Sequence, residues 1–308
     1  MSAAERQRRC VIGARGSSLS LCQAQLVQTQ LEECLPQRGC RVKTITADAD
    51  RTPDAPLSVL GGEGIFVKAL ESALLDGRID LAVHSLKDVP LAIPQGLVIA
   101  AVLAREDASD ALVAHGGRSF DALPVGSRVG TSSIRRTSQL LHLRRDLTYL
   151  DIRGNVDTRL RKLDEGRYEA IVLAACGLIR LGLEERISEY FTLPRMLPEP
   201  GQGALAIEAR QNDRELLEWL RPLEDPITRT CVEAERAFLA ALGGGCRVPI
   251  AAFAQLEQGT LILEGAVIAP DGSRLLRERA EGDMTAPIAL GDLLAERLIA
   301  QGAKELLR

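Results

Sequence analysis

Short apolar runs alternate along this chain with segments whose apolar residues recur every three or four positions. Arg8 to Ala14 reads as a strand. Leu19 to Leu35 reads as a helix with Ser17 or Ser18 as N-cap, and Arg41 to Ala47 as a second strand. Ala49 to Gly64 is loop-like, rich in Asp, Pro and Gly. Ile65 to Leu75 has the spacing of an amphipathic helix stopped at Gly77. Ile79 to Val83 is a nearly unbroken apolar run, the mark of a buried strand, and Leu97 to Leu103 is another.

The alternation then restarts. Leu112-Val113, Arg128-Val129, Leu147 to Arg153 and Glu169 to Ala174 read as strands, with helices from Ile134 to Arg144 and from Val156 to Leu163. A Gly- and Pro-rich segment, Pro198 to Gly203, leads to a strand from Ala204 to Glu208, which on pattern alone fits either lobe. Composition shifts after Pro226. A helix from Thr228 to Leu242 ends on Gly243-Gly244-Gly245. Val248 to Leu256, Leu261 to Ile268 and Arg274 to Ala280 then read as an antiparallel meander, and Ala286 to Leu307 as a covering helix. The pattern predicts an α/β chain with mostly parallel sheets in two lobes and a small α+β C-terminal domain. The division adopted is 1–103 with 204–222, then 104–203, then 226–308.

Composition narrows the class. Over 308 residues, hydrophobic content of 46% and charged content of 26% are ordinary for a soluble globular protein. A net charge of −4 argues against a general nucleic-acid binder. The apolar runs are too short to span a bilayer, and Met1 to Arg9 is polar, without a signal-peptide pattern. The seven cysteines are odd in number and none has C-x-x-C spacing, so neither a disulfide framework nor a metal site is expected. A reducing cytoplasm fits best.

The candidate chemistry sits at strand-to-helix junctions. His84, Ser85, Lys87 and Asp88 are expected just past the carboxyl end of the Ile79–Val83 strand, where ligands bind in open α/β sheets. Gly130-Thr131-Ser132-Ser133-Ile134-Arg135-Arg136 offers free backbone N–H groups, hydroxyls and a positive helix end. Two arginines in that first turn oppose the helix dipole, which is easier to explain if an anion is bound there. Arg153-Gly154-Asn155-Val156-Asp157-Thr158-Arg159 and Arg15-Gly16-Ser17-Ser18 are similar junctions, and Arg180 adds a cation after another strand and turn. Arginines at strand ends in two lobes point to a cleft for a polycarboxylate or polyphosphate. There is no P-loop and no GxGxxG after the first strand, so an organic polyacid is favoured over a nucleotide. Cys246 follows three glycines, and Arg247 beside it would favour the thiolate. From pattern alone an inert buried thiol is the simpler reading.

Taken in order, these segments closely resemble the porphobilinogen deaminase family. The resemblance runs through Gly13-Ala14-Arg15, Gly61 to Lys68, His84 to Pro90, Arg105-Glu106-Asp107 and Gly130 to Arg136. It continues through Arg153 to Val156 and Pro200 to Ala204, and ends with Gly244 to Pro249. It implies two lobes like type II periplasmic binding proteins, a third domain, and a dipyrromethane cofactor held by thioether to Cys246. It implies stepwise addition of four porphobilinogen molecules, with loss of ammonia each time, and hydrolytic release of hydroxymethylbilane. Asp88 matches the catalytic aspartate. Lys87, Asp88, Thr131, Ser133, Arg135, Arg136, Gly154, Asn155 and Arg159 match cofactor-binding positions. Arg15, Ser17, Arg153, Arg159 and Arg180 match substrate-binding ones. Ser132 would add a neutral hydrogen bond. A monomer is the family expectation.

The chain also departs from the family pattern. Glu63 stands where lysine is common, Asp48-Ala49-Asp50 replaces a segment with glycine before aspartate, Ser18 replaces proline and Cys22 replaces tryptophan. Two alternatives therefore stay open: a two-lobed organic-anion receptor without catalysis, and a family member made poorly active by Glu63.

Overall fold

The structure, a computed structural model, describes residues 9–36, 39–46, 65–244 and 248–307, with Ile65 and Phe66 described by backbone alone. Cys246, Glu63 and the Asp48-Ala49-Asp50 segment lie outside the described residues. In chain order the elements begin with β1 (Cys10–Ala14), α1 (Ser18–Cys34), β2 (Cys40–Thr44), α2 (Ile65–Leu75), β3 (Leu81–Ser85) and β4 (Leu97–Val102). Next come β5 (Asp110–Ala114), β6 (Arg128–Gly130), α3 (Ile134–Leu143), β7 (Thr148–Leu150), α4 (Val156–Asp164), β8 (Ala170–Ala174), α5 (Ala175–Arg180) and β9 (Glu189–Tyr190). The last are β10 (Leu205–Arg210), α6 (Arg214–Leu220), α7 (Pro226–Ala241), β11 (Ile250–Glu257), β12 (Thr260–Ile268), β13 (Leu275–Asp283), α8 (Pro287–Ala300) and α9 (Ala303–Leu306).

The chain divides into two compact units, 1–104 with 205–226 and 105–204 with 227–308. In the first, the sheet order is β2-β1-β3-β10-β4. β1 pairs in parallel with β2 and β3, whereas β10 runs antiparallel between β3 and β4. Alternate residues serve opposite faces. Ile12, Leu81, Val83 and Ile207 pack against Ala24, Val27 and Leu31 of α1, while Ala82 joins Leu70, Ala73 and Leu74 of α2 on the other face. Burial on both faces explains why these strands read as continuous apolar runs.

The second unit holds two sheets. One has the order β7-β6-β8-β5-β9, with β6 parallel to β7 and β8, and β5 antiparallel to β8 and β9. The other is the meander β11-β12-β13, packed on α7 and α8 through Phe238, Leu263, Leu290 and Leu294. At Gly291 a Cβ would lie 2.5 Å from the Ala234 carbonyl oxygen, so α7 and α8 touch backbone to backbone there. Glu235 of α7 ties the two sheets together. Its buried carboxylate accepts from Arg105 Nη1 at 2.6 Å, Gly201 N at 2.6 Å and Ala254 N at 2.8 Å. The Arg105 guanidinium also stacks 4.7 Å from the centre of the Phe253 ring. A buried carboxylate filled this way avoids the desolvation penalty of an unpaired one.

Several expected boundaries move. β3 extends through Ser85, so His84 and Ser85 are strand residues rather than loop residues. Arg180 closes a short helix, α5, where the pattern reads a turn after the strand. The predicted C-terminal helix is broken at Gln301-Gly302, where Gly302 has φ 94°.

Candidate active site

In the first unit, two junctions lie at the carboxyl ends of neighbouring parallel strands. At the end of β1, Ser17 is the N-cap of α1, and its Oγ accepts from Ser20 N at 3.2 Å. Its own proton is still available to donate. The backbone N–H of Arg15 donates to Ser20 Oγ at 3.0 Å, which fixes the turn from which the Arg15 side chain departs.

At the end of β3, Leu86–Asp88 forms a single 3-10 turn closed by Val89 N donating to Leu86 O at 3.1 Å. Leu86 is 2% exposed and Val89 3%. These two apolar anchors are three residues apart and pin the turn to the core. Lys87, half-buried, and Asp88, exposed, stand between them on the outward side. Beneath the turn, Ser85 Oγ accepts from Gln23 Nε2 at 3.0 Å, and His84 Nε2 lies 3.0 Å from Glu208 Oε2 in the interior. The His84 imidazole therefore belongs to the interior rather than to the ligand-facing turn.

In the second unit the junctions follow β6, β7 and β8, again adjacent parallel strands. After β6, Thr131 is buried. Ser132 Oγ donates to Ile152 O and accepts from Ile152 N, which locks the β6 and β7 ends together. Ser133 is the N-cap of α3, with its Oγ accepting from Arg136 N. After β7, Arg153 pairs with Asp151 at 2.7 Å, and Arg159 Nε donates to Gly154 O at 2.8 Å. Gly154 has φ 108°, and a Cβ there would meet Thr158 at 2.6 Å, so only glycine makes this turn. Asn155 holds the N-cap position of α4 without a side-chain cap bond. After β8 and α5, Arg180 Nη2 donates to Gly203 O at 2.6 Å.

Arg135 and Arg136 turn inward, and the anion beside them is the chain's own. Arg135 is 2% exposed, Arg136 5% and Asp110 0%. Arg135 reaches both Asp110 oxygens, at 2.6 and 3.2 Å, and Arg136 Nε reaches Oδ1 at 2.8 Å. Gln202 Nε2 donates to the same Oδ1 at 3.0 Å. Burial pushes the Asp110 carboxyl up, but the two guanidinium groups outweigh it and hold the carboxyl well below the usual carboxylate range. The unfolded value is about 3.9. Asp110 therefore contributes stability that is fully present above that pH and is lost as pH falls below it. Acid titration of the melting temperature should show this loss, and Asp110→Asn should flatten it.

The sequence reading missed Asp110, Glu208 and Glu235. One signal was available: an acid opening the apolar run Asp110-Ala111-Leu112-Val113-Ala114 must find a buried cation.

Gly203 offers a stability test. It has φ +90°, and a Cβ would lie 2.3 Å from the Glu106 carbonyl oxygen. Gly203→Ala should cost about 2–4 kcal/mol from positive φ and overlap together, seen as a lower urea midpoint, and should loosen the Arg180 anchor. A wild-type midpoint would contradict the tight approach.

Residues 10–218 match the porphobilinogen deaminase dipyromethane cofactor binding domain, and residues 229–300 match the porphobilinogen deaminase C-terminal domain. The chain is 50% identical over 296 residues to a porphobilinogen deaminase of Syntrophotalea carbinolica, covering 96% of this chain and 94% of that one. It is 49% identical over 297 residues to that of Roseiflexus sp., covering 96% and 98%. It is 47% identical over 300 residues to that of Nitrosomonas europaea, covering 97% of each. Among solved structures, the periplasmic VFT2 domain of BvgS from Bordetella pertussis aligns with TM-score 0.40 and 12% identity, over 69% of this chain and 84% of that one. The chain belongs to the porphobilinogen deaminase family. It is thereby a transferase of tetrapyrrole biosynthesis, with hydroxymethylbilane synthase activity on porphobilinogen and a dipyrromethane cofactor.

The donor set fits such a group. Each pyrrole carries an acetate and a propionate, and this chain presents arginines and hydroxyls just past β1, β6 and β7, Lys87 past β3, and Arg180 at the end of α5. At Asp110 two guanidinium groups share one carboxylate, and Arg135 Nε has no hydrogen-bond partner among the described residues. Among the described residues there is no cluster of three His, Cys, Asp or Glu able to hold a metal, and no helix long and apolar enough to cross a membrane.

Proposed function

We propose that Asp88 is the catalytic carboxylate, that Cys246 holds the dipyrromethane through a thioether, and that the arginines divide the pyrrole acids between them. The supporting observation is the Leu86–Val89 turn. It fixes Lys87 and Asp88 at the end of β3, next to the Arg15–Ser17 junction at the end of β1. When bound, the dipyrromethane supplies the free pyrrole carbon to which porphobilinogen is joined. Asp88 accepts hydrogen bonds from pyrrole N–H groups and holds the positive charge left on the substrate pyrrole as its C–N bond breaks and ammonia departs. A fixed carboxylate does this without reorganising at the moment of reaction. In this reading it also takes up the ring proton afterwards.

Lys87, Ser133, Arg135, Arg136, Thr131, Arg159, Gly154 and Asn155 hold the cofactor acids in this reading. Arg15, Ser17, Arg153, Arg159 and Arg180 hold those of the substrate. The paired N–H geometry of arginine suits carboxylates better than lysine's point charge. We assign the chain three domains, 1–103 with 204–222, 104–203 and 226–308. We place it in the cytoplasm as a monomer that binds small molecules and no nucleic acid, in keeping with its net charge of −4 and an odd number of cysteines without C-x-x-C spacing.

Steady-state ammonia release from porphobilinogen tests this reading. Release of four ammonia molecules for each hydroxymethylbilane formed is expected. Porphobilinogen binding without ammonia release would support a receptor instead, and sustained but very slow release would implicate Glu63.

A further inference from the structure

We propose that Asp110 is a positioning residue for cofactor loading. Its carboxylate gathers Arg135 and Arg136 at one point and aims their remaining N–H groups at a second carboxylate, that of the bound pyrrole. This inference rests on the reading that those arginines hold cofactor acids.

Two guanidinium groups side by side in the interior repel each other and are costly to desolvate. Asp110 offsets both costs. Its Oδ2 takes Arg135 Nη1, and its Oδ1 takes Arg135 Nη2, Arg136 Nε and Gln202 Nε2. Backbone oxygens fix the outer ends of the forks, with Leu197 O on Arg135 Nη1 at 2.8 Å and Val172 O on Arg136 Nη1 at 3.2 Å. Gln202 is itself held through Nε2 to Ala108 O at 2.7 Å, and its Oε1 accepts from Arg136 Nη2 at 3.4 Å. Both arginine planes are thus defined before any ligand arrives. Arg135 Nε remains without a hydrogen-bond partner among the described residues, although its surroundings are buried. A buried N–H in that state favours an incoming oxygen acceptor. Asp110 opens β5 and the arginines open α3, so strand and helix are joined through this one carboxylate.

The test is the fraction of full-length expressed chains that carry the dipyrromethane mass increment, read by intact mass on samples whose melting is followed by circular dichroism. Asp110→Asn keeps both arginines and the side-chain shape. It should melt cooperatively yet lower the loaded fraction at least about tenfold, the scale expected when one member of a buried charge pair is removed. Gly291→Ala strains the α7–α8 contact in the same unit. It should load fully despite a lower melting temperature, which separates positioning from general destabilisation. If Asp110→Asn does not fold, Gln202→Met decides. It removes one donor to Asp110 and one acceptor from Arg136 without changing charge, and should lower loading at least about threefold. Folded Asp110→Asn loading like wild type would overturn the proposal, as would Gln202→Met doing so where it decides. Cys246→Ser carries the separate question: an increment surviving there would overturn the attachment reading whatever the Asp110 series shows.

Discussion

Asp88→Asn should leave the melting temperature almost unchanged and lower kcat by about 10²–10³-fold. The first half follows from position. Asp88 is exposed on a turn anchored by Leu86 and Val89, and surface substitutions away from buried networks are usually within about 0.5 kcal/mol. The second half follows from charge. Asparagine keeps the shape and can still accept a hydrogen bond, but it carries no negative charge to meet the cation that appears as ammonia leaves. Loss of one preorganised electrostatic group commonly costs that range in rate. KM should change much less than kcat, because the missing interaction is realised as the C–N bond breaks. Near-normal turnover would remove Asp88 from the mechanism, and an unfolded variant would show that its role is structural.

The second large effect is expected at Cys246. A thiolate is a far better carbon nucleophile than a serine hydroxyl. Cys246→Ser should therefore be recovered folded, at the mass of the bare chain, with hydroxymethylbilane formation at background. The other six cysteines provide an internal control. Cys10, Cys176 and Cys231 are buried, Cys22 and Cys40 partly so, and Cys34 is exposed. Cys34→Ser should load and turn over as wild type. Covalent label moving to another cysteine in Cys246→Ser would show that local thiol exposure, rather than the Gly-Gly-Cys sequence, decides attachment.

Much of the scaffold was legible because its signals are local. α2 is bounded as the apolar spacing predicts, from Ile65 to Leu75, and the Ser17 cap lies where a hydroxyl precedes the periodic run. Within each sheet the junction segments end up at adjacent strand ends because parallel strands place their carboxyl ends on one edge. What was not legible depends on partners distant in sequence. β3 runs on through His84 and Ser85 because β10, more than a hundred residues later, pairs His84 with Ala206 and Ser85 with Leu205. The inward turn of Arg135 and Arg136 depends on Asp110, 25 residues earlier for Arg135, and on Gln202, 66 residues after Arg136. A junction rich in arginine announces an anion, but not whether that anion belongs to a ligand or to the chain. Arg180 ends α5, a six-residue helix whose formation depends on packing Ala175, Cys176, Gly177 and Leu178 into the core, which six residues are too few to announce by periodicity.

The most direct test of the account is the intact mass of the full-length protein before and after addition of a few equivalents of porphobilinogen. The account predicts that the starting chain already carries the dipyrromethane increment, absent from Cys246→Ser. It predicts further peaks, each higher by one porphobilinogen less one ammonia. A bare chain whose mass does not change when porphobilinogen is added would contradict it.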